Sequence, residues 1–132
     1  MNIPSSLRYT NDHEWIRVEG DEGSVGITDY AQGELGDIVF LDLPEVGAKV
    51  TAGEPFGSIE AVKAASDMFA PVSGTISAVN PNLGQQPELI NQDAFGKGWI
   101  VKIKLSNSKE VNDLLDATAY GKLIEQSKGE HH

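Results

Sequence analysis

Two stretches of this chain repeat one β pattern and bracket a single lysine. "GDIVFLDLPEVGAKV" starts at Gly36 and "GTISAVNPNLGQQ" starts at Gly74. At an offset of 38 residues Ile38 matches Ile76 and Leu41 matches Val79; Gly47 matches Gly84 after a one-residue gap. Each unit offers one apolar face, and neither buries that face alone. Two such units pack face to face as a flattened barrel or sandwich. A hairpin then joins the halves near the pseudo-symmetry axis, and Lys63 sits on it.

The remaining segments extend this β reading. "HEWIRVEG" (13–20) and "GSVGITD" (23–29) alternate apolar and polar residues around a "GDEG" turn. In "TDYAQGELG" (28–36), Thr28 or Asp29 can cap a short helix that Gly36 ends. "DIVFLDLP" (37–44) reads as a strand with Ile38, Phe40 and Asp42 on one face. Segment 44–62 holds two turn signals and two short β runs, and segment 69–84 repeats the style. "GWIVKIKL" (98–105) puts Trp99, Val101, Ile103 and Leu105 on one face. After it the period changes to helical over 106–127. Asn107 and Glu110 resemble a capping box, and Gly121 predicts a break or two consecutive helices. One domain over residues 1–127 accounts for the whole pattern. The tail 128–132, ending in "GEHH", reads as tag-like and is set aside from the site.

The segment "SIEAVKAASDMFAPVSGTI" (58–76) carries the chemistry. Lys63 is the lone charge in an uncharged run from Ala61 to Ser66, with Glu60 before it and Asp67 after it. An ordinary lysine on a turn is simply solvated. Here the small neighbours Ala61, Ala64, Ala65 and Ser66 leave the ammonium open to a modifying enzyme. A long flexible stem on a tight tip suits a covalently carried cofactor. Glu60 and Asp67 admit two readings: charge that discourages pairing at exposed strand ends, or a label for the enzyme that modifies Lys63.

Charge and composition exclude much else. Twenty Asp and Glu against ten Lys and Arg give a formal charge of −10. Such a surface repels phosphate backbones and anionic lipid heads, which argues against nucleic-acid and membrane roles. With no cysteine there is no disulfide, no thiolate metal site and no thiol chemistry from the bare chain. His13 and Glu14 form no zinc pattern, because no second histidine stands four residues on. Neither GxGxxG nor a P-loop occurs, so no independent active site can be placed. The first residues lack a basic and an apolar region, and no apolar window reaches a membrane-spanning length. A cytoplasmic location is expected.

At these residues the chain resembles the glycine cleavage system H-protein family of lipoyl carriers. "HEWIRVEG" and "VGITDYAQGELGDIVFLDLPEVGAKV" are similar to the family's N-terminal half, and "SIEAVKAASDMFAPVSGTI" to its lipoyl-attachment segment. "PELINQDAFGKGWIVKIKL" is similar to the part that follows. Lipoyl and biotinyl domains carry glycines before and after the modified lysine, and Gly47 and Gly74 occupy those places as structural turns. The resemblance implies a mainly β hammerhead of two quasi-symmetric antiparallel sheets, a barrel-sandwich hybrid, with a C-terminal helix. It implies lipoic acid amidated to Lys63 and Glu60 as the lipoylation recognition residue. It also implies Glu14 and Asp67 as the carboxylates of a cleft that shelters the loaded arm. The chain would then be a carrier and not an enzyme.

The partners implied are a pyridoxal-phosphate glycine decarboxylase, an aminomethyltransferase using tetrahydrofolate, an FAD-dependent dihydrolipoyl dehydrogenase and a lipoylating enzyme. The arm would shuttle an aminomethyl group and reducing equivalents among them. A lipoyl relay that donates to 2-oxo-acid dehydrogenases stays open beside this reading. A biotinyl carrier would carry Met on both sides of the lysine, where Val62 and Ala64 stand. A β interaction module without a cofactor is the plainest alternative.

Overall fold

The computed structural model describes residues 3–129. In chain order the elements are β1 (Arg8–Tyr9), β2 (Glu14–Glu19), β3 (Glu22–Ile27), α1 (Asp29–Leu35), β4 (Ile38–Asp42) and β5 (Lys49–Val50). They continue with β6 (Pro55–Ala61), β7 (Ala65–Phe69), β8 (Gly74–Val79), α2 (Leu89–Gln92) and β9 (Val101–Leu105). A 3-10 helix, Ser108–Asp113, and α3, Ala117–Gly129, complete the chain. One sheet has the order β1-β2-β3-β9-β8-β5 and the other the order β4-β6-β7. Their strand pairs are antiparallel.

The sequence repeat is a structural repeat. Taking β3–β6 as one unit and β7–β9 as the other, the run β3-β9-β8 mirrors β7-β6-β4. Each unit therefore sends its opening strand into the partner's sheet. The match extends to a defect: register shifts fall between Ile38 and Phe40 and between Ile76 and Ala78. Both bulges sit at the 38-residue offset. An extra residue inverts the side-chain alternation beyond it. Ile38 is therefore buried while Phe40 is 56% exposed, and Ile38 does not share a face with Phe40 and Asp42 as alternation leads one to expect.

The main core lies between the sheets and includes Ile16, Ile38, Ile59, Met68, Ile76 and Ile103. A second cluster joins Leu7, Tyr9, Trp15 and Tyr30 to Tyr120 and Ile124 of α3. Tyr9 and Tyr120 stack with ring centroids 4.6 Å apart. Tyr120 Oη also reaches Thr28 Oγ1 at 2.6 Å and His13 Nδ1 at 2.8 Å. Thr28 Oγ1 in turn accepts from Ala31 N and caps α1. Through one tyrosine, α3 fixes both the start of α1 and the entry to β2.

Four local expectations need correction. Asn107 does cap the 3-10 helix through Lys109 N, but Glu110 does not reach back to complete a box. Its carboxylate instead accepts from Ser73 N at 2.9 Å and Ser73 Oγ at 3.1 Å. Gly121 breaks nothing: the interruption precedes α3, where Asp116 Oδ1 caps Ala119 N at 2.8 Å. Gly74 is not a turn but the first residue of β8. A Cβ there would lie 2.0 Å from the Lys104 carbonyl oxygen, so glycine is required by close strand approach. α3 also continues to Gly129, past the helical stretch read over 106–127, and residues 130–132 lie outside the described residues.

Gly74→Ala should therefore cost on the order of 3 kcal/mol of stability, because a strand must move to admit the methyl. Gly84→Ala, with nothing within 4 Å of the new Cβ, should stay close to wild type. Urea denaturation of both variants measures the contrast.

Candidate functional site

Strands β6 and β7 form a hairpin whose last pair is Glu60 with Ala65. Ala61 N donates to Ala64 O at 2.9 Å and closes the loop. Val62, Lys63 and Ala64 are left exposed at the tip, Val62 at 71%. The tip is nevertheless held in place. Val62 N donates to Asp37 O at 2.9 Å and Lys63 N donates to Leu35 O at 3.3 Å. Both acceptors belong to the junction between α1 and β4.

That junction is built around Gly36 and Asn91. Gly36 adopts φ 80°, and its N–H closes α1 on Gln32 O. A Cβ on it would lie 3.2–3.4 Å from Cγ, Cδ and Cε of Lys63, so the lysine stem runs over the glycine. Asn91, from α2, accepts from Ile38 N and donates to Gly36 O and Gln32 Oε1, each at 2.9 Å. Sequence reasoning found Lys63 and the α1 caps but not Asn91. A lone asparagine more than fifty residues away leaves no local signal of this role.

The other residues singled out by sequence fall in two places. Glu60 and Asp67 are exposed and lie on one face of the three-stranded sheet. Glu60 pairs with both Phe40 and Ala65, while Asp67 pairs with Ser58, which in turn pairs with Asp42. Glu14 is 2% exposed and looks inward. Its Oε1 accepts from Thr10 Oγ1 at 2.7 Å and its Oε2 from Phe69 N at 3.3 Å. Glu14 therefore bridges β2 to β7, two residues from Asp67, yet the two carboxylates line different cavities. Asp67 borders a groove of about 260 Å³ with Ser58 and Glu60. Glu14 borders a cavity of about 340 Å³ with Thr10, Phe69 and Glu110.

A third cavity, about 320 Å³, lies beside the hairpin tip. Leu35, whose carbonyl holds Lys63, lines it with Asp12, His13, Tyr30, Glu34 and Ser66. His13 has φ 67°, an uncommon conformation for a side-chain-bearing residue, and its ring lies 4.9 Å from that of Tyr30. Burial lowers the His13 pKa from its ordinary value, against the pull of Asp12 and Glu34. An uncharged imidazole, an aromatic wall and two carboxylates can receive a chain that is apolar along its length and polar at its end. No cluster of His, Asp and Glu suited to a metal occurs among the described residues.

A family model described as Glycine cleavage H-protein matches residues 7–127. The chain belongs to the glycine cleavage H-protein family. It is 52% identical over 126 residues to the glycine cleavage system H protein of Geobacillus kaustophilus, covering 96% of this chain and 99% of that one. It is 55% identical over 124 residues to the H protein of Bacteroides thetaiotaomicron, covering 94% and 98%. Its fold matches the crystal structure of an H protein from Mycobacterium marinum with a TM-score of 0.83 and 40% identity, over 96% of this chain and 99% of that one. The mainly β architecture of this H-protein family member, with two antiparallel sheets and a C-terminal helix, is the one expected.

Glu14 gives a pH signature. Burial raises its pKa from 4.5 to about 8, against the pull of the Thr10 and Phe69 hydrogen bonds. The folded state thus holds a proton that the unfolded chain has released, from about pH 4.5 to about pH 8. Its contribution to stability falls as pH rises through that window and then levels off. Glu14→Gln should remove this slope. Denaturation at pH 5 and pH 9 should show the variant gaining on wild type at the higher pH.

Proposed function

We propose that this chain is the lipoyl-carrying protein of the glycine cleavage system, with lipoic acid amidated to Lys63. The observation that carries the assignment is a lysine exposed on a hairpin tip that two backbone hydrogen bonds hold rigid. Attachment needs only Lys63 and an activated lipoyl carboxyl. The uncharged Nζ attacks the carboxyl carbon, the bond to the leaving group breaks, and the nitrogen gives up a proton as the amide forms. The attached dithiolane supplies the sulfur chemistry, uptake of an aminomethyl group and of reducing equivalents, that a cysteine-free chain lacks.

The chain's own residues do the positioning. Gly36 leaves room for the stem, and the cavity beside Leu35 and Tyr30 offers the arm a seat. Glu60 labels the hairpin for the lipoylating enzyme. Glu14, from the cavity it borders, and Asp67, from the groove it shares with Ser58 and Glu60, are assigned to shelter the loaded arm, each by charge-assisted hydrogen bonds to its cationic amine. A cation beside Glu14 favours its ionised form, so binding there releases a proton. The partners are glycine decarboxylase, aminomethyltransferase, dihydrolipoyl dehydrogenase and the lipoylating enzyme. An anionic surface suits successive weak docking to basic partner faces. Residues 1–127 form one carrier domain, acting in the cytoplasm. Among the described residues no helix is long and apolar enough to cross a membrane.

Lys63→Arg keeps the charge but removes the acylable amine, and it should abolish lipoylation completely. Peptide mass spectrometry should place the lipoyl group on Lys63 in wild type; a lipoyl group on Lys49 or Lys97 would overturn the assignment. For the sheltering pair, Glu14→Ala with Asp67→Ala should speed release of ammonia and formaldehyde from the loaded protein without the transferase. An unchanged release rate would leave both as ordinary acids.

A further inference from the structure

The two quasi-symmetric bulges provide an internal control. Each turns two consecutive residues away from the core. In the second unit these are Ser77 and Ala78, small residues at the same 38-residue offset. In the first unit, beside the lysine hairpin, they are Val39 and Phe40, 55% and 56% exposed. The fold requires a bulge at both places, yet it carries an exposed aromatic at only one. Folding therefore does not explain Phe40.

Its surroundings do. Phe40 pairs directly with Glu60, which places their Cβ atoms about 5 Å apart on one face. The next row on that face is Asp42, Ser58 and Asp67. Beyond the end of β6 stands exposed Val62, one residue from Lys63. The outer face of the three-stranded sheet thus presents one aromatic among three carboxylates, about 10 Å of strand from the lysine. The groove beside Phe40, lined by Val39, Leu41, Leu43 and Leu83, has a volume of about 60 Å³, too small to hold a metabolite. β4 is also an edge strand, where an exposed apolar side chain is a liability unless something covers it.

We propose that Phe40 is the anchor of a docking face for the enzyme that acylates Lys63. The partner's matching surface is an apolar socket rimmed by Lys or Arg, which receives Phe40 while the rim meets Asp42, Glu60 and Asp67. This inference rests on the reading of Lys63 as the lipoylated residue. The acylating enzyme is singled out by reach. It must bring a carboxyl carbon within bonding distance of Nζ itself, so it has to cover the surface nearest the tip. Enzymes that act on the far end of an attached arm dock an arm's length away. An aromatic anchor that fills a partner's pocket inside a polar rim is a common interface composition.

The test uses the unmodified full chain, lipoate, ATP and a purified lipoate-attaching enzyme, with rate followed against carrier concentration. Phe40→Ser should raise KM for the carrier about tenfold with kcat unchanged, and Phe40→Leu should recover most of the loss. Glu60→Gln and the pair Asp42→Asn with Asp67→Asn should also raise KM, and salt should weaken wild type more than these variants. Val18→Ser, an exposed apolar position on the other sheet, should stay within twofold of wild type. A folded Phe40→Ser with wild-type KM overturns the proposal. If that variant does not fold, the Asp42 and Asp67 pair decides, and an unchanged KM there overturns it equally. A Phe40→Ser that lowers self-association in sedimentation but leaves KM alone assigns the face to a second copy instead. Wild-type chain that takes no lipoyl group on Lys63 removes the underlying reading, an outcome distinct from all of these.

Discussion

Two backbone hydrogen bonds, from Val62 N and Lys63 N to the α1–β4 junction, turn a hairpin loop into a fixed pedestal. A tight β turn at the end of two strands would otherwise sway with its sheet. Here the tip is tied to a different part of the fold, and that part is itself braced. Asn91 spends its amide on Gly36, Gln32 and Ile38, so α2 supports the junction from behind. Tyr120 supports the other end of α1 through the Thr28 cap. The side chain of Lys63 stays free while its backbone does not. That division suits a carrier, whose arm must move and whose point of attachment must be found.

Charge is arranged along the same division. Exposed carboxylates crowd the outer face of the hairpin sheet, where water solvates them at little cost. The buried carboxylate, Glu14, bridges the two sheets and accepts two hydrogen bonds, yet desolvation still holds it in its neutral form. A proton kept there lets the carboxyl sit between the sheets without leaving an unpaired buried anion.

The repeat, the sheet pairing and the lysine were legible because each leaves a local trace. Period-2 alternation marks strands, Thr28 and Gly36 mark a helix, and a lysine among alanines marks an unusual tip. The bulge at Val39 defeated the alternation argument, since one extra residue inverts facing without changing composition. Gly74 was noticed for its position, but the strand that crowds it is thirty residues away in sequence. Asn91, Glu110 and Tyr120 act through partners on distant segments, so no window around them reveals their work. The cleft was the hardest to read. Glu14 and Asp67 are brought close by β7, yet face apart, and facing depends on register that only the assembled sheets fix.

The exchange of opening strands between the two units has a kinetic consequence. The β1-β2-β3 run joins β9, β8 and β5 only through the β3–β9 pairing, so Val25 must find Val101 across most of the chain. Neither sheet can be completed from one half. Folding must wait for ends that meet late, which makes the chain a slow folder for its size and a sharply cooperative one. The reward is mechanical. A load on the hairpin tip is shared by both halves, because each is stitched into the other.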